Sequence, residues 1–465
     1  MALPDISLVV AELGRSPLAK AETLIRSLGI GSQASFSRLV GRAGDEIVAI
    51  GRARARRYAA SRDPRGIGRA IPLFRVDADG ALARIATLRP FAPGGWYADD
   101  PATLPRWMRG ADGNGTFGGL PHFLDDARPS GFAGSAFVRA HPELRLPDDP
   151  GRWSDDDCAL ALARSGDDVA GDLVMGDEPA RRVYARRAAN VAPVARSARS
   201  SAFPALAEAA IAGVAPGPSV GGEQPKFGAA VGDEASSVRV LVKFSPAEFS
   251  LSARRWCDLL VCEHLALEAL RMHGLPAVES EIVEGGSRVF LQTTRYDRVG
   301  VHGRRAVVSL AAMNREYARM PSSGGGWPRV AERLASDRWL DAATVPRVRF
   351  LETFARFIAN TDTDFANVSF FPRDDGRLEL APAYDMLPMA YAPIAGDLPE
   401  RTYVAPPPDP GHEAIWREAG ELAKAYWAAV AADERVSSSF RAIAAGNAGA
   451  VASALARFAR PGSGP

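Results

Sequence analysis

A chain of 465 residues is too long for a single compact core, so two to four domains are expected. Hydrophobic residues make up 47% and charged residues 24% of the sequence, a composition that excludes extensive disorder. The formal net charge is +1, so the protein as a whole has no electrostatic field that attracts nucleic acid or membranes. Three cysteines without a CxxC spacing, no secretion signal and no apolar run of membrane-spanning length predict a reduced, cytoplasmic protein that makes no membrane contact.

The first 70 residues are predicted to form a small winged helix-turn-helix module. Residues 6–13 form an apolar helix, Ser16 followed by proline suits the start of a second helix, and Ser32 suits the N-cap of a third. The runs 46–50 and 56–60 then read as two short strands joined by an arginine-rich turn, which predicts a wing.

Positive charge is concentrated in this module, where twelve Arg and Lys stand against six Asp and Glu. A DNA-binding function would place the third helix in the major groove and the wing on phosphates. The candidate DNA-contacting residues are Gln33, Ser35, Arg38, Arg52, Arg54, Arg56 and Arg57. The alternative is a basic knob that packs on the rest of the chain, because arginine is abundant throughout the sequence.

A glycine-containing segment over residues 218–231 is the first candidate element for chemistry. Gly221 and Gly222 leave backbone N–H groups unobstructed, so they can point at phosphate oxygens. The segment is not a Walker A loop, because no GxxxxGK[ST] pattern occurs. Taken alone, it is explained equally well by a plain turn.

A lysine and a glutamate follow on a predicted strand and helix. Apolar residues alternate around Lys243 in residues 238–245, so a strand places this lysine where it can neutralise nucleotide phosphates. Glu263 falls on the apolar stripe of the next helix, where a carboxylate is costly unless it pairs with a cation such as Lys243. The alternatives are a lysine on an edge strand and a glutamate that reaches solvent.

The strongest candidate element lies in the last third of the chain. A helix over residues 346–360 is followed by Asp362 and Asn367, which have the spacing of a kinase catalytic loop. A predicted hairpin then returns Asp385 beside them. One carboxylate can accept the proton of a substrate hydroxyl, while an asparagine and a second aspartate hold magnesium through oxygen. An Asp-rich turn at a helix end explains Asp362 but not this order of elements.

These motifs resemble the HipA family of bacterial serine/threonine kinases, the toxins of type II toxin–antitoxin systems. The resemblance covers roughly residues 71–445 and is carried by SVGGEQPKF, VLVKF, RYDR, NTDTDFAN and LAPAYDML. With a winged helix-turn-helix in front, the chain is most similar to the YjjJ branch. The resemblance implies an α+β fold, bilobal and protein-kinase-like, with a mixed, β-containing N-lobe and a mainly helical C-lobe.

The resemblance also implies domain limits and residue roles. The expected units are 1–70 (winged module), 71–180 (β-rich subdomain), 181–290 (N-lobe) and 291–465 (helical C-lobe). Asp362 would be the catalytic base, with Lys243 and Glu263 completing the catalytic set. Asn367 and Asp385 would bind Mg²⁺. The residues implied for ATP binding are Ser219, Val220, Gly221, Gly222 and Lys243.

Two positions modify this expectation. Ser219 matches the serine at which family members autophosphorylate, and a phosphate there would place a dianion beside the nucleotide and act as an off switch. Asp364 stands where the family usually has histidine. An extra carboxylate raises the local negative charge near the base and the metals, unless it points to solvent.

Two classes of function follow from these residues. The first is an ATP- and Mg²⁺-dependent serine/threonine kinase that phosphorylates a protein and inhibits growth, with DNA binding through residues 1–70; family targets include aminoacyl-tRNA synthetases. The second is a DNA-binding regulator whose kinase-like body senses nucleotide. The kinase is favoured because the complete set of five polar residues is present: Lys243, Glu263, Asp362, Asn367 and Asp385. A small-molecule kinase shares the same machinery, and the sequence leaves a homodimer open.

Overall fold

The computed structural model describes residues 5–189, 192–213, 224–233, 236–321 and 326–458. Helices and antiparallel sheets alternate along these ranges, and the chain has the predicted α+β class with two lobes. Within the same ranges, no helix combines the length and the apolar character needed to cross a bilayer. The predicted nucleotide-loop residues Ser219, Val220, Gly221 and Gly222 lie outside the described residues.

The N-terminal module contains three helices and a three-stranded antiparallel sheet. Its elements are α1 (Ile6–Arg15), β1 (Ala19–Lys20), α2 (Ala21–Ser27), α3 (Gln33–Ala43), β2 (Ile47–Ile50) and β3 (Arg57–Ala60). The strand order is β1-β3-β2, and Phe36 packs edge-on against Tyr58 in a core that belongs to this module. This order of helices and hairpin is typical of a winged helix-turn-helix.

The start of the second helix differs from the prediction. Ser16 ends α1, because its N–H donates to the carbonyl of Glu12 at 2.9 Å. Leu18 has a φ of 61°, which no right-handed helix accepts, and the next two residues pair with β3. A short strand therefore replaces the expected first turn, and α2 begins at Ala21. Ser32 caps α3 as predicted, accepting the N–H of Ser35 at 3.1 Å.

The middle region is built on a five-stranded antiparallel sheet in the order β7-β6-β5-β4-β8. Its elements are β4 (Ile71–Val76), β5 (Leu82–Phe91), β6 (Gly95–Ala98), β7 (Thr116–Phe117), α4 (Gly131–Ala140), α5 (Asp155–Ser165), β8 (Leu173–Met175) and α6 (Asp177–Ala189). Helix α6 runs across the limit suggested at residue 180. Two arginines attach the N-terminal module to α5: Arg62 pairs with Asp156 at 2.6 Å, and Arg65 pairs with Asp157.

The N-lobe carries a four-stranded antiparallel sheet in the order β11-β12-β10-β9. Its elements are α7 (Arg199–Ile211), β9 (Lys226–Val231), β10 (Val238–Phe244), α8 (Leu251–Met272), β11 (Ser280–Gly285) and β12 (Arg288–Thr294). Four buried phenylalanines, Phe203, Phe227, Phe244 and Phe290, form the centre of its core. The sheet is thereby fixed against α7, and β10 lies at its middle.

The C-lobe is mainly helical and contains the predicted loop and hairpin. Its elements are β13 (Arg298–Val299), β14 (Gly303–Arg304), β15 (Val308–Ser309), α9 (Leu310–Met313), α10 (Gly326–Ser336), α11 (Thr344–Phe357), β16 (Ser369–Pro372), β17 (Leu378–Leu380), α12 (Glu413–Ala432) and α13 (Ser438–Arg457). Strands β15, β16 and β17 pair as one small sheet. The loop between α11 and β16 holds Asp362, Asp364 and Asn367.

The segment after β17 is tied to the N-lobe. The carbonyl of Ala383 accepts the N–H of Val278 at 3.0 Å, and its own N–H donates to Pro276 at 2.9 Å. Tyr296, which follows β12, packs on Phe371 and Tyr384 with ring centroids 5.9 and 5.5 Å apart. Because Ala383 and Tyr384 directly precede Asp385, these contacts hold Asp385 at the junction of the two lobes.

Candidate active site

Lys243 and Glu263 form the ion pair that the sequence predicted. Lys243 lies on β10 and Glu263 on the face of α8 that packs against this sheet. Lys243 Nζ donates to Glu263 Oε1 at 2.7 Å and to Oε2 at 2.8 Å. Both side chains are buried, with 6% and 2% of their surface exposed. Burial of this carboxylate is tolerable only because the ammonium group satisfies both of its oxygens.

Asp385 reaches the same lysine from the other lobe. Lys243 Nζ lies 2.5 Å from Asp385 Oδ1, so one ammonium group bridges two carboxylates. Asp385 has a φ of 59°, a left-handed conformation that is uncommon outside glycine and concentrated at functional sites. Its carbonyl accepts a hydrogen bond from Asn360 Nδ2 at 3.2 Å, which ties this strained residue to the loop that carries Asp362.

The loop after α11 is held by side chains of its own residues. Asn360 Oδ1 accepts the N–H of Asp362 at 3.0 Å, and Asn367 Nδ2 donates to the carbonyl of Asp362 at 2.9 Å. Asp364 Oδ1 accepts the N–H of Ala366 at 2.7 Å. The exposed Asp364 therefore caps the short 3₁₀ turn over 365–367, which is a structural reason for an acidic residue at this position.

A buried tryptophan supports the same loop from α10. Trp327 is fully buried, and its indole Nε1 donates to the carbonyls of Thr363 at 3.0 Å and Asp364 at 3.1 Å. These bonds fix the backbone on the C-terminal side of Asp362. Sequence reasoning missed Trp327 and Asn360, because neither position carries a group that takes part in phosphoryl transfer.

Lys226 is the charged residue of the site that sequence reasoning left without a role. It begins β9, stands opposite Lys243 in the antiparallel register, and is 3% exposed. Burial, with the charge of Lys243, lowers the pKa of Lys226 to about 8. The lysine itself is visible in the QPKF motif, but the strand register that places it opposite Lys243 is not.

The protonation states of the site follow from burial and from these contacts. Burial acts to lower the pKa of Lys243, but Asp385 and Glu263 outweigh it and raise that pKa, so the lysine stays charged. Burial raises the pKa of Glu263. Burial also acts to raise the pKa of Asp385, but Lys243 and Lys226 outweigh it and lower that pKa. Desolvation, followed by the charges of Asp385 and Asp364, raises the pKa of Asp362.

The oxygen-bearing residues of the candidate site have the chemistry that a magnesium–nucleotide complex requires. Asp385, Asn367 and Asp362 offer carboxylate and amide oxygens, the donors that Mg²⁺ prefers. The negative charges of Asp385 and Asp364 that raise the pKa of Asp362 would be relieved by a bound cation. In the described part of the chain no three His, Cys, Asp or Glu are grouped to hold a metal. Mg²⁺ sites in phosphoryl-transfer enzymes use one or two carboxylates and complete their shell with substrate phosphates and water.

The candidate DNA-contacting residues lie on α3, on the turn between β2 and β3, and at the first residue of β3. The exposed ones are Gln33, Arg38, Arg52, Arg54, Arg56 and Arg57. Ser35 is half-buried, and its hydroxyl accepts from Ser32 Oγ at 3.0 Å, so it belongs to the cap of α3. Arg52 pairs with Asp100 of the middle region at 3.0 Å, while Arg54 projects into solvent on the same turn.

Two protein families match parts of this chain. Residues 67–184 match the YjjJ-like toxin, middle domain, and residues 218–447 match the HipA-like C-terminal domain. The chain is 36% identical over 417 residues to Toxin YjjJ of Escherichia coli (strain K12), a match that covers 89% of this chain and 90% of that protein.

Two solved structures match this chain. The first is the HipA, HipB and operator DNA complex of the Shewanella oneidensis MR-1 toxin–antitoxin system, with a TM-score of 0.51, 13% identity, and coverage of 83% of this chain and 97% of that one. The second is the Helicobacter pylori proinflammatory kinase CtkA, with a TM-score of 0.36, 9% identity, and coverage of 50% and 91%. The first likeness supports a common bilobal architecture.

Proposed function

We propose that this chain, which belongs to the family of HipA-like toxins of the YjjJ type, is an ATP- and Mg²⁺-dependent serine/threonine protein kinase that inhibits growth. The observation that carries the proposal is the double contact of Lys243 with Glu263 and Asp385. A buried strand lysine bonded to a helix glutamate, next to an aspartate from the other lobe, is the arrangement that protein kinases use to bind nucleotide phosphates.

Each charged side chain has a distinct part in this proposal. Lys243 and Lys226 neutralise the phosphates of ATP, and Glu263 holds Lys243 in position. Asp362 lies on the loop at the cleft and accepts the proton of the substrate hydroxyl, for which its raised pKa suits a general base. Asp385 and Asn367 would hold Mg²⁺, which, when bound, neutralises the charge that develops on the transferred phosphoryl group.

Growth on induced expression tests this function. Wild type should arrest growth, and Asp362→Asn and Asp385→Asn should each abolish the arrest, because loss of a catalytic base or metal ligand lowers phosphoryl transfer by about a hundredfold or more. Asp374→Asn removes an exposed carboxylate from the β16–β17 turn and should remain toxic. Undiminished arrest by both cleft variants at equal protein levels would refute the proposal.

Ser219 is proposed as the site of autophosphorylation, which would introduce a dianion next to the nucleotide and inactivate the kinase. The proposal rests on the family resemblance of residues 219–227. Intact-mass analysis after incubation with Mg-ATP should show one added phosphate on wild type and none on Ser219→Ala. An active wild type that gains no phosphate would contradict it.

The proposed substrate is a protein hydroxyl, with aminoacyl-tRNA synthetases as the first candidates on family grounds. Comparing phosphopeptides from cells that express wild type or Asp362→Asn identifies it. A synthetase peptide enriched with wild type supports this substrate class, whereas enrichment of other proteins only would remove the synthetases from consideration.

DNA binding through the N-terminal module is a second proposed activity, supported by the exposed arginines of the β2–β3 turn beside α3. It should be measured with a 30-base-pair random duplex at about 50 and 200 mM salt, because each phosphate contact contributes about one unit to the salt slope. The double variant Arg54→Gln/Arg56→Gln should lower the slope. Arg26→Gln, which removes an exposed arginine of α2, should leave it unchanged. A wild type whose affinity is independent of salt would argue against DNA binding.

A further inference from the structure

A small cavity lies outside the candidate active site. It has a volume of about 30 Å³, is partly open, and is bordered by α6, the turn between β4 and β5, the start of β10 and the β13–β14 hairpin. Six basic side chains line it: Arg186, Arg187, Arg239, Arg298, His302 and Arg304. The cavity is not lined by any charged residue of the candidate active site, namely Lys226, Lys243, Glu263, Asp362 or Asp385.

Only two of its five arginines are matched by carboxylates. Arg186 pairs with Asp167 at 2.7 Å, and Arg298 pairs with Asp168 at 2.8 Å and Asp297 at 2.6 Å. These three carboxylates also pair with two arginines that do not line the cavity, Arg182 and Arg295. The acidic residues around the cavity are therefore already neutralised.

The other three guanidinium groups bond to neutral backbone. Arg187 Nη1 donates to the carbonyl of Gly80 at 2.9 Å, and Arg239 Nε donates to that of Val301 at 3.1 Å. Arg304 Nη2 donates to the carbonyl of Asp167 at 2.5 Å. Because arginine keeps its proton in proteins, these contacts leave three positive charges that form no direct ion pair, although Asp168 acts on Arg239 and Arg304 at longer range.

Arg304 has an unused donor inside the protein. The residue is 8% exposed, and its Nη1 is buried without a hydrogen-bond partner. Buried donors of a charged group are nearly always satisfied, since leaving one unpaired is unfavourable. The same positive surroundings act on His302, whose pKa is lowered first by burial and then by Arg239 and Arg187.

The backbone around the cavity is built for close approach. Gly80 has a φ of 77°, and a Cβ added to it would lie 2.8 Å from His302 Cβ. The N–H of Arg304 donates to Asp77 in the same turn at 2.9 Å. The turn and the β13–β14 hairpin are therefore fixed against each other, and the arginines project from a rigid frame.

From this charge and the unmet donor of Arg304 we infer that the cavity is a binding site for a phosphate group, either inorganic phosphate or the phosphoryl end of a small phosphomonoester. Guanidinium groups match a tetrahedral oxyanion with paired N–H donors. The inner space holds about two water molecules, so it admits only part of one phosphate group, and the rest of the group would lie at the open side of the cavity. Arg187 is exposed, so the ester portion of a ligand can extend into solvent.

A bound phosphate would connect three parts of the chain. Arg187 comes from α6 of the middle region, Arg239 from the N-lobe sheet, and Arg304 from the hairpin that follows the lobe connection. The ligand would thus stabilise the middle region against both lobes. This site does not depend on the proposed kinase activity, because it shares no residue with the cleft.

Isothermal titration calorimetry of the full chain at constant ionic strength tests the inference, with inorganic phosphate and glycerol 3-phosphate as separate probes. Wild type should bind at least one of them, and Arg304→Gln and Arg239→Gln should each weaken that binding by about tenfold or more. Arg239 is only half-buried, which makes its variant the safer one to fold. Arg26→Gln on the surface and Lys226→Gln in the cleft should bind as wild type does.

The two probes distinguish the source of the phosphate. Binding of inorganic phosphate alone assigns the site to the free anion, and binding of glycerol 3-phosphate as well assigns it to phosphomonoesters; either result supports the inference. Loss of binding in Lys226→Gln with full binding in both arginine variants would place the anion in the active-site cleft. That result, or no heat of binding beyond an equal concentration of chloride, would overturn the inference.

Discussion

Lys243 and Asp385 are 142 residues apart in the sequence, yet Nζ of the first lies 2.5 Å from Oδ1 of the second. The same nitrogen satisfies both oxygens of Glu263. One ammonium group therefore joins β10, α8 and the segment after β17, and the two lobes meet at it. Mutation can separate the contribution of this contact to the stability of the fold from its contribution to catalysis.

Lys243→Met should destabilise the fold as well as abolish activity. Removing the ammonium leaves buried Glu263 without its hydrogen-bonded cation, and breaking a buried ion pair from one side costs about 3–5 kcal/mol. Urea denaturation followed by circular dichroism measures this loss. In the double variant Lys243→Met/Glu263→Leu no unpaired charge remains on these two residues, so most of the stability should return while activity stays absent. A double variant as unstable as Lys243→Met would contradict this account of the pair.

The acid limb of activity should depend on Asp364. Asp362 must be ionised to accept a proton, so kcat/KM should rise with pH through its raised pKa. Asp364→Asn removes one of the negative charges that raise this pKa while keeping a side chain that can cap the 3₁₀ turn. The acid limb of the profile of kcat/KM against pH should therefore move to lower pH. Asp374→Asn is the matched control and should leave it in place; an unmoved limb in both variants would show that Asp364 does not act on the base.

The kcat/KM for ATP should fall in mildly alkaline solution, because Lys226 loses its positive charge there. With a pKa of about 8, this lysine is charged below that pH and loses its charge as the pH rises through it. The kcat/KM for ATP should fall over this range in wild type. Lys226→Arg keeps its charge and should show no such fall, whereas Lys226→Gln should have low kcat/KM at every pH. An alkaline fall that persists unchanged in Lys226→Arg would assign it to another group.

The hydrogen bonds of Trp327 should be required for rate rather than for nucleotide affinity. Trp327→Phe preserves bulk but removes the donor to the carbonyls of Thr363 and Asp364, so the loop that carries Asp362 loses its support. We expect kcat to fall by about tenfold with little change in KM for ATP. Trp416→Phe removes a similar indole donor, to Pro406 at 2.8 Å, away from this loop. It should cost comparable stability and leave kcat unchanged.

The parts of the site that sequence could predict are those set by local patterns. Lys243 was predicted from alternation within one strand, and Glu263 from its place on an apolar helical stripe that demanded a cation. The loop with Asp362 and Asn367 follows from the spacing between a helix and a hairpin. Each of these predictions depends on the periodicity of apolar residues or on the spacing of residues along the chain.

The parts that sequence could not predict depend on register and on contacts between distant elements. The pairing of Lys226 with Lys243 depends on how β9 aligns with β10, and the bonds from Trp327 depend on how α10 packs. Ser16 illustrates the converse: a serine before a proline suits a helix start, but here the pairing of β1 with β3 prevailed over that local preference. The arginine cavity likewise joins three regions that no single pattern connects.

The most direct measurement of the central claim is transfer of label from radioactive ATP to the proteins of a cell lysate, with purified wild type and Asp362→Asn compared at equal ATP occupancy. Because Asp362 is proposed to act on the acceptor hydroxyl, the variant should still bind ATP but label no protein that wild type labels. Equal labelling of the same proteins by both would contradict the assignment of this cleft as a kinase active site.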